Sequence, residues 1–179
     1  MSDQGRSTSD RYIDPNAGDA WAAEAASQGK TGSQRLLNVA VTAPGEEARQ
    51  ALNLKPDEQV VVRSRLIIAD DQPIEIATSY YPASIAASTV LARPGKVRGG
   101  SPAELARLGH SVVDVTDSVT ARHPSPDESA ILHVGDHEPL LVLTRVSLDI
   151  DGRPVEYAVN VSVAALSAPH VYHRRVSAP

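Results

Sequence analysis

Two arginines stand at alternate positions of an otherwise apolar run, Arg63 and Arg65 in VVVRSRLIIADDQPIEIATSYYP, residues 60–82. A guanidinium is permanently charged and rarely buried without a partner, and its planar fork matches the paired oxygens of a carboxylate or phosphate. Side chains alternate along a strand, so Val61, Arg63, Arg65 and Ile67 share one face while Val60, Val62, Ser64, Leu66 and Ile68 share the other. The two arginine stems then leave the backbone roughly 7 Å apart on the same side. Like charges so placed call for a negative group. That group is either Glu156, Glu75 or Asp149 in an internal ion-pair cluster, or an anionic ligand in a pocket.

A second set of candidates lies in LLVLTRVSLDIDGRPVEYAVNVSV, residues 140–163, which reads as a long hairpin turning at Asp151-Gly152. A two-residue turn there pairs Ile150 with Arg153 and assigns every side chain to a face. One face collects Leu140, Val142, Val146, Leu148 and Ile150 with Val155, Tyr157, Val159, Val161 and Val163, a core surface. The other sets Arg145 and Ser147 across from Ala158 and Glu156, followed by Asn160 and Ser162 among Leu141 and Leu143. This polar face suits selected contacts with a ligand. Whether Glu75 joins the face of Arg65 is a question of register: it does so only if the loop around residues 70–72 has an odd number of residues, and a two-residue turn removes it.

These side chains must be positioned by elements that the rest of the chain spells out. Residues 1–18, rich in Ser, Asp, Gly and Arg, read as a flexible leader before a single domain over 19–179. DAWAAEAASQG predicts a helix capped by Asp19, RLLNVAVTAP a strand, and PGEEARQALNL a helix with Glu46 and Glu47 in its favourable first turn. After the first hairpin, ASIAASTVL predicts a short helix and ARPGKVRGG a basic loop. Ser101-Pro102-Ala103-Glu104 and Ser125-Pro126-Asp127-Glu128 each place a capping serine, a proline at the first helical position and a glutamate three residues after the cap. HSVVDVTDSVTARH between them is a strand. Together they predict an α+β domain, an antiparallel sheet of about six strands with short covering helices.

Composition narrows the chemistry further. With 17 Lys+Arg against 22 Asp+Glu, the net charge of −5 gives no reason for this chain to grip nucleic acid by itself. The absence of cysteine excludes disulfides, thiolate metal sites and cysteine nucleophiles, and fits a cytoplasmic location. No apolar run approaches the roughly 20 residues of a membrane helix. His133 with His137, and His170 with His173, lack companion ligands, so no metal is expected. The basic ending Tyr172-His173-Arg174-Arg175 reads as a solubilising terminus.

Taken in order, the Arg-x-Arg strand, the Pro-Ile-Glu-x-x-x-Ser-Tyr-Tyr-Pro strand, the helix ending Leu-Gly, the Ala-x-Leu-x-Val segment and Asp-Gly-x-Pro-Val-Glu form a series over about residues 36–175. This series resembles the UTRA domain, the effector-binding half of HutC-subgroup GntR-type bacterial transcription regulators. The resemblance implies a chorismate-lyase-like fold, homodimerisation, a small anionic or polyoxygenated metabolite as effector, no cofactor, and DNA contact through a winged helix-turn-helix that this chain lacks. It also implies ligand-binding roles for Arg63, Arg65, Glu75, Ser101 and Glu156, to which the polar face adds Arg145, Asn160 and Ser162. Ala103 and Ser162 stand where sugar-phosphate-binding members often carry aromatic residues, which implies a differently shaped effector.

Two other functions are compatible with the same residues. In a chorismate-lyase-like enzyme, Arg63, Arg65 and Glu156 would stabilise and protonate an anionic substrate, but no nucleophile, base and orienting group occur in series. A dimerisation module without a ligand would have both arginines fully paired internally. The expectation is therefore a regulator's effector domain and not an enzyme.

Overall fold

The structure is a computed structural model describing residues 6–173. The chain forms β1 (Arg6–Ser7), a 3-10 turn (Thr8–Tyr12), α1 (Ala20–Ser27), β2 (Gly32–Thr42), α2 (Glu46–Ala51), β3 (Val60–Ala69) and β4 (Gln72–Pro82). It continues through α3 (Ala83–Ala86), a second 3-10 turn (Val90–Ala92), α4 (Gly100–Arg107), β5 (Val112–Arg122), α5 (Pro126–Leu132), β6 (Leu140–Asp149), β7 (Pro154–Val163) and β8 (Tyr172–His173). Six strands make one antiparallel sheet in the order β2-β3-β4-β7-β6-β5, and β1 pairs separately with β8. This is the α+β architecture that the strand and helix patterns predict.

The strand order is a palindrome because the chain runs through the same unit twice. β2-α2-β3-β4 and β5-α5-β6-β7 meet at β4 and β7, whose antiparallel pairing sets Glu75 opposite Ser162 and Tyr80 opposite Tyr157. Both short helices are followed by a residue in the left-handed region, Asn53 with φ 52° and His133 with φ 58°. The last strand of each unit opens alike, Pro73-Ile-Glu-Ile-Ala77 and Pro154-Val-Glu-Tyr-Ala158.

Two helix starts, those of α1 and α5, are capped by the side chains the sequence offers. Asp19 caps α1 by accepting from the Ala22 amide, and Ser125 with Glu128 closes a full capping box on α5. At α4 the helix begins one residue before the expected cap: Gly99 and Gly100 adopt φ of 78° and 81°, and Ser101 lies inside the first turn. Glu104 is thereby free to bond Arg107 at 2.8 and 2.7 Å instead of capping.

Under α2 and α5 the sheet carries the aliphatic core. Leu66, Leu132, Leu140, Val142, Val161 and Val163 form one cluster, and Ala48, Leu52, Val60 and Tyr157 another. The opposite face is divided. One end is sealed by α3, the second 3-10 turn and α4, through Val61, Tyr81, Ala86, Leu91, Leu105 and Val155; the rest of that face is left for a cavity.

Both hairpins depart from the simplest registers, for the same reason. Ala69 pairs with Gln72 across a two-residue turn, Asp70 and Asp71 at φ 46° and 66°, yet Ile67 pairs with Glu75 and Ile68 with Pro73. Ile74 is thus the extra residue of a β-bulge, and the bulge returns Glu75 to the face of Arg65 although the loop is even. In the second hairpin the Gly152 amide bonds the Asp149 carbonyl and the Asp149 amide bonds Arg153, so the loop has three residues, Ile150 to Gly152. Ile150 consequently stands 77% exposed instead of in the core. Here Val155 is the extra residue, between the pairs Leu148–Pro154 and Ser147–Glu156, and it joins the cluster of Val61 and Tyr81 rather than that of Tyr157.

Residues 6–13, within the stretch read as a leader, carry β1 and a 3-10 turn whose capping box joins Ser7 and Asp10. Residues 1–5, like Arg174 and Arg175 of the basic ending, lie outside the described residues.

Candidate functional site

A cavity of about 650 Å³ occupies the polar face of the sheet. Its floor is β3, β4, β7 and β6, which contribute Arg65, Glu75, Ala77, Ser79, Glu156, Ala158, Asn160, Ser162, Leu143 and Arg145. Its roof is the 3-10 turn with Ser9 and Tyr12, α1 with Trp21 and Glu24, the loop 96–102, and residues 167–170. Strand alternation and the two bulges aim all these floor residues the same way. The left-handed Gly99-Gly100 pair turns the chain so that Ser101 reaches the cavity wall.

The roof is fastened by specific contacts. Trp21 Nε1 donates to the carbonyls of Ser33 (3.2 Å) and Ile68 (3.1 Å), and Gly32 lies so close beneath it that a Cβ would sit 2.8 Å from that nitrogen. Tyr12 donates to Glu24, Ser9 donates to Asp117 at 3.0 Å, and Lys96 pairs with Asp19 at 2.5 Å.

Of the eight residues singled out from the sequence, seven line this cavity: Arg65, Glu75, Ser101, Arg145, Glu156, Asn160 and Ser162. Arg63 does not. Its guanidinium, 5% exposed, donates to the carbonyls of Leu91 (3.3 Å), Arg93 (2.8 Å) and Gly95. The expected common pocket for Arg63 and Arg65 is corrected accordingly: the first arginine holds the loop that runs into the cavity roof. Burial, then the neighbouring charge of Arg65, lowers the Arg63 pKa, with Tyr81 acting against the fall.

Arg65 is different in kind. Its Nε is buried without a hydrogen-bond partner among the described residues. The acids of the floor are engaged elsewhere. Ser162 donates to Glu75 Oε2 at 2.5 Å, and Tyr81 donates to Glu156 Oε1 at 2.8 Å. Glu75 lines the cavity, and burial raises its pKa although Ser162 and Arg65 act against the rise. Burial likewise raises the pKa of Tyr81, helped by the charge of Glu156. Asp149, one of the acids considered for the arginines, instead takes Nδ1 of His110 at 2.8 Å and amides of its own turn.

The second arginine of the floor is satisfied. Arg145 Nε and Nη2 donate to the two oxygens of Asp117 at 2.7 and 2.6 Å, a side-on bidentate pair. Burial alone would raise Asp117, but the hydrogen bonds and charge of Arg145 more than offset it and its pKa falls below the usual range. Asp117 was missed in the sequence, where it stood in a strand with other polar residues; its position directly across from Arg145 is a matter of strand pairing. Tyr81 was missed because its partner Glu156 is 75 residues away. The duplicated Pro-Ile/Val-Glu-x-Ala segment was the signal that could have linked Glu75 with Glu156.

Chemically, the cavity floor offers the Arg65 guanidinium, the hydrogen-bonded carboxyl groups of Glu75 and Glu156, hydroxyls and the Asn160 amide, with Arg98 and Gln34 also in the lining, a set fitted to bind a polar molecule with an anionic group. No cluster of His, Cys, Asp or Glu able to hold a metal ion occurs among the described residues, and no described helix is long and apolar enough to cross a membrane.

Comparison with known proteins places this geometry. Residues 27–165 match the sequence profile of the UTRA domain. An HTH-type transcriptional regulator of Streptomyces coelicolor is 32% identical over 114 residues, covering 62% of this chain and 42% of that protein. Another, from Rhizobium meliloti, is 30% identical, covering 71% of this chain and 51% of that protein. The chain thus spans about half the length of these curated relatives. Among solved structures, the effector domain of PhnF from Mycobacterium smegmatis superposes with a TM-score of 0.72 at 20% identity, covering 84% of this chain and 91% of that one. The C-terminal domain of the histidine utilization repressor from Pseudomonas syringae gives 0.69 at 19%, covering 82% and 99%. At these identities the structures establish a shared fold.

Proposed function

Because the chain belongs to the UTRA domain family, we propose that it is the effector-sensing domain of a GntR-type, HutC-subgroup transcription regulator whose cavity binds a small anionic or polyoxygenated metabolite. The observation that carries this reading is Arg65, which lines the cavity and whose buried Nε has no hydrogen-bond partner among the described residues, since a buried donor left unpaired is costly. A volume of about 650 Å³ suits a metabolite-sized ligand. In this reading Arg65 takes the anionic group. Glu75, Glu156, Asn160, Ser162 and Ser101 orient hydroxyl or ammonium groups, while Arg63 acts through the loop it holds.

The domain acts in the cytoplasm as a homodimer and as part of a repressor, with DNA contacted by a winged helix-turn-helix outside this chain. Effector binding favours one dimer geometry over others, and operator affinity follows that preference. The regulators among its relatives support a sensing role over an enzymatic one.

A thermal-shift screen of phosphorylated and carboxylated metabolites tests the proposal, run in parallel on wild type and Arg65→Ala. Hits are expected to raise the wild-type Tm and to lose that effect in the variant. Equal responses in both proteins to every stabilising anion would place the binding site elsewhere.

A further inference from the structure

The two halves of the sheet place Arg65 and Arg145 at corresponding positions, each opposite an alanine of the next strand, Ala77 and Ala158. They differ in what faces them from the outer strand. Arg145 stands across from Asp117 on β5, and Arg65 across from Leu36 on β2. The Asp117 carboxylate binds Arg145 through Nε and Nη2, and Nε is the atom of Arg65 that is buried and unpartnered.

We propose that the cavity is a duplicated anion site with one half filled from within: Asp117 is the built-in carboxylate of Arg145, and Arg65 receives an anionic group of the effector. The inference rests on the effector-binding reading of the cavity and deepens it. Asp117 shows how a planar oxyanion meets such an arginine, two oxygens side-on to the guanidinium, as a carboxylate or phosphate provides, and Arg65 offers its guanidinium to the cavity it lines. It also restricts the ligand class. An anionic group reaching toward Arg145 meets a carboxylate already in place, so the effector directs its carboxylate or phosphate to the Arg65 end and none to Arg145. Toward Glu75 and Glu156 it carries hydrogen-bond donors, hydroxyl or ammonium. Asp117 is thus a specificity-determining residue, one that Ser9 of the roof also holds.

Anion titrations of the wild type, Arg65→Gln, Asp117→Ala and the double variant test this, with acetate and inorganic phosphate as single anions and succinate and glutarate as paired ones. Binding is followed by calorimetry and by Tm. The wild type should bind one anion per chain, and Arg65→Gln should weaken this about tenfold or more, the loss of a bidentate charged contact. Asp117→Ala frees Arg145, so a second anion should bind, and the double variant should regain a single site. Paired anions should favour Asp117→Ala over the wild type by about tenfold, through effective concentration. The acetate and phosphate arms distinguish which oxyanion is taken. Where Asp117→Ala does not fold, Asp117→Asn keeps the shape, removes the charge and is read in the same way.

Arg65-dependent binding in the wild type, with no second site in either Asp117 variant, overturns the inference while leaving the effector site standing. A wild type that binds no anion, or an Arg65→Gln that binds like the wild type, removes the effector reading itself.

Discussion

Tyr81 and Ser162 occupy mirrored positions about the junction of β4 and β7, and each closes on the glutamate of the other strand. Tyr81 donates to Glu156 and Ser162 to Glu75. The pair follows from the duplicated unit: both glutamates come directly after a bulge residue, Ile74 or Val155, and the antiparallel junction carries each to the hydroxyl of its counterpart.

Tyr81→Phe leaves the Glu156 carboxylate, 8% exposed, without its hydroxyl donor. Loss of one partner of a buried hydrogen bond costs about 1–3 kcal/mol. Urea unfolding of this variant should therefore shift to lower midpoint with an unchanged m-value. An unaltered midpoint would mean that the hydroxyl contributes nothing net.

The two arginines of the Arg-x-Arg strand should respond oppositely to removal in the absence of any ligand. Arg63→Ala deletes three bonds to the carbonyls of Leu91, Arg93 and Gly95, at about 1 kcal/mol each, and so should destabilise by about 2–4 kcal/mol. Arg65→Met removes a buried nitrogen with no partner and should be neutral or stabilising by up to about 1 kcal/mol. Equal losses of Tm would contradict the different roles assigned to them.

Gly32 permits α1 to sit on the sheet. A Cβ there would lie 2.8 Å from both Trp21 Nε1 and Ala25 Cβ, and helix and strand must separate to admit it. Gly32→Ala should cost about 1–3 kcal/mol, the range of overpacking. Because Trp21 is the sole tryptophan of the chain, its emission should shift to the red as it leaves the Ser33 and Ile68 carbonyls. An unshifted spectrum would show that the roof accommodates the methyl group.

Glu75 gives the protein a definite pH dependence. Its folded pKa is raised by burial, so the folded state holds the proton more tightly than the unfolded chain. The stability this group contributes is full below the ordinary carboxylate pKa and declines as pH rises from there through the raised value. Glu75→Gln, which keeps an acceptor for Ser162, should thus melt higher than the wild type at pH 8, with the difference closing at about pH 4. Thermal melts across that interval decide it; a constant difference, or a lower Tm at pH 8, contradicts the assignment.

Much of this molecule was legible before any coordinates. Strands and helices followed from alternation, proline and capping residues, because these are local properties of a few neighbouring side chains. Face assignment placed Arg145, Ser147, Glu156, Asn160 and Ser162 together correctly, since the bulge at Val155 offset the unexpected length of the turn. The ordered motifs were also sufficient to indicate the family.

What the tertiary structure decided was which groups are already satisfied. Arg63 and Arg65 are two residues apart on one face and indistinguishable by type, yet one finds backbone carbonyls about 30 residues onward and the buried Nε of the other finds no partner among the described residues. Arg145 is matched by Asp117 only because β5 pairs beside β6. Whether a charge is compensated depends on atoms brought within about 3 Å by strand order and loop closure. Sequence composition and spacing carry no direct record of that distance, and for this reason the difference between the two arginines emerged only from the folded chain.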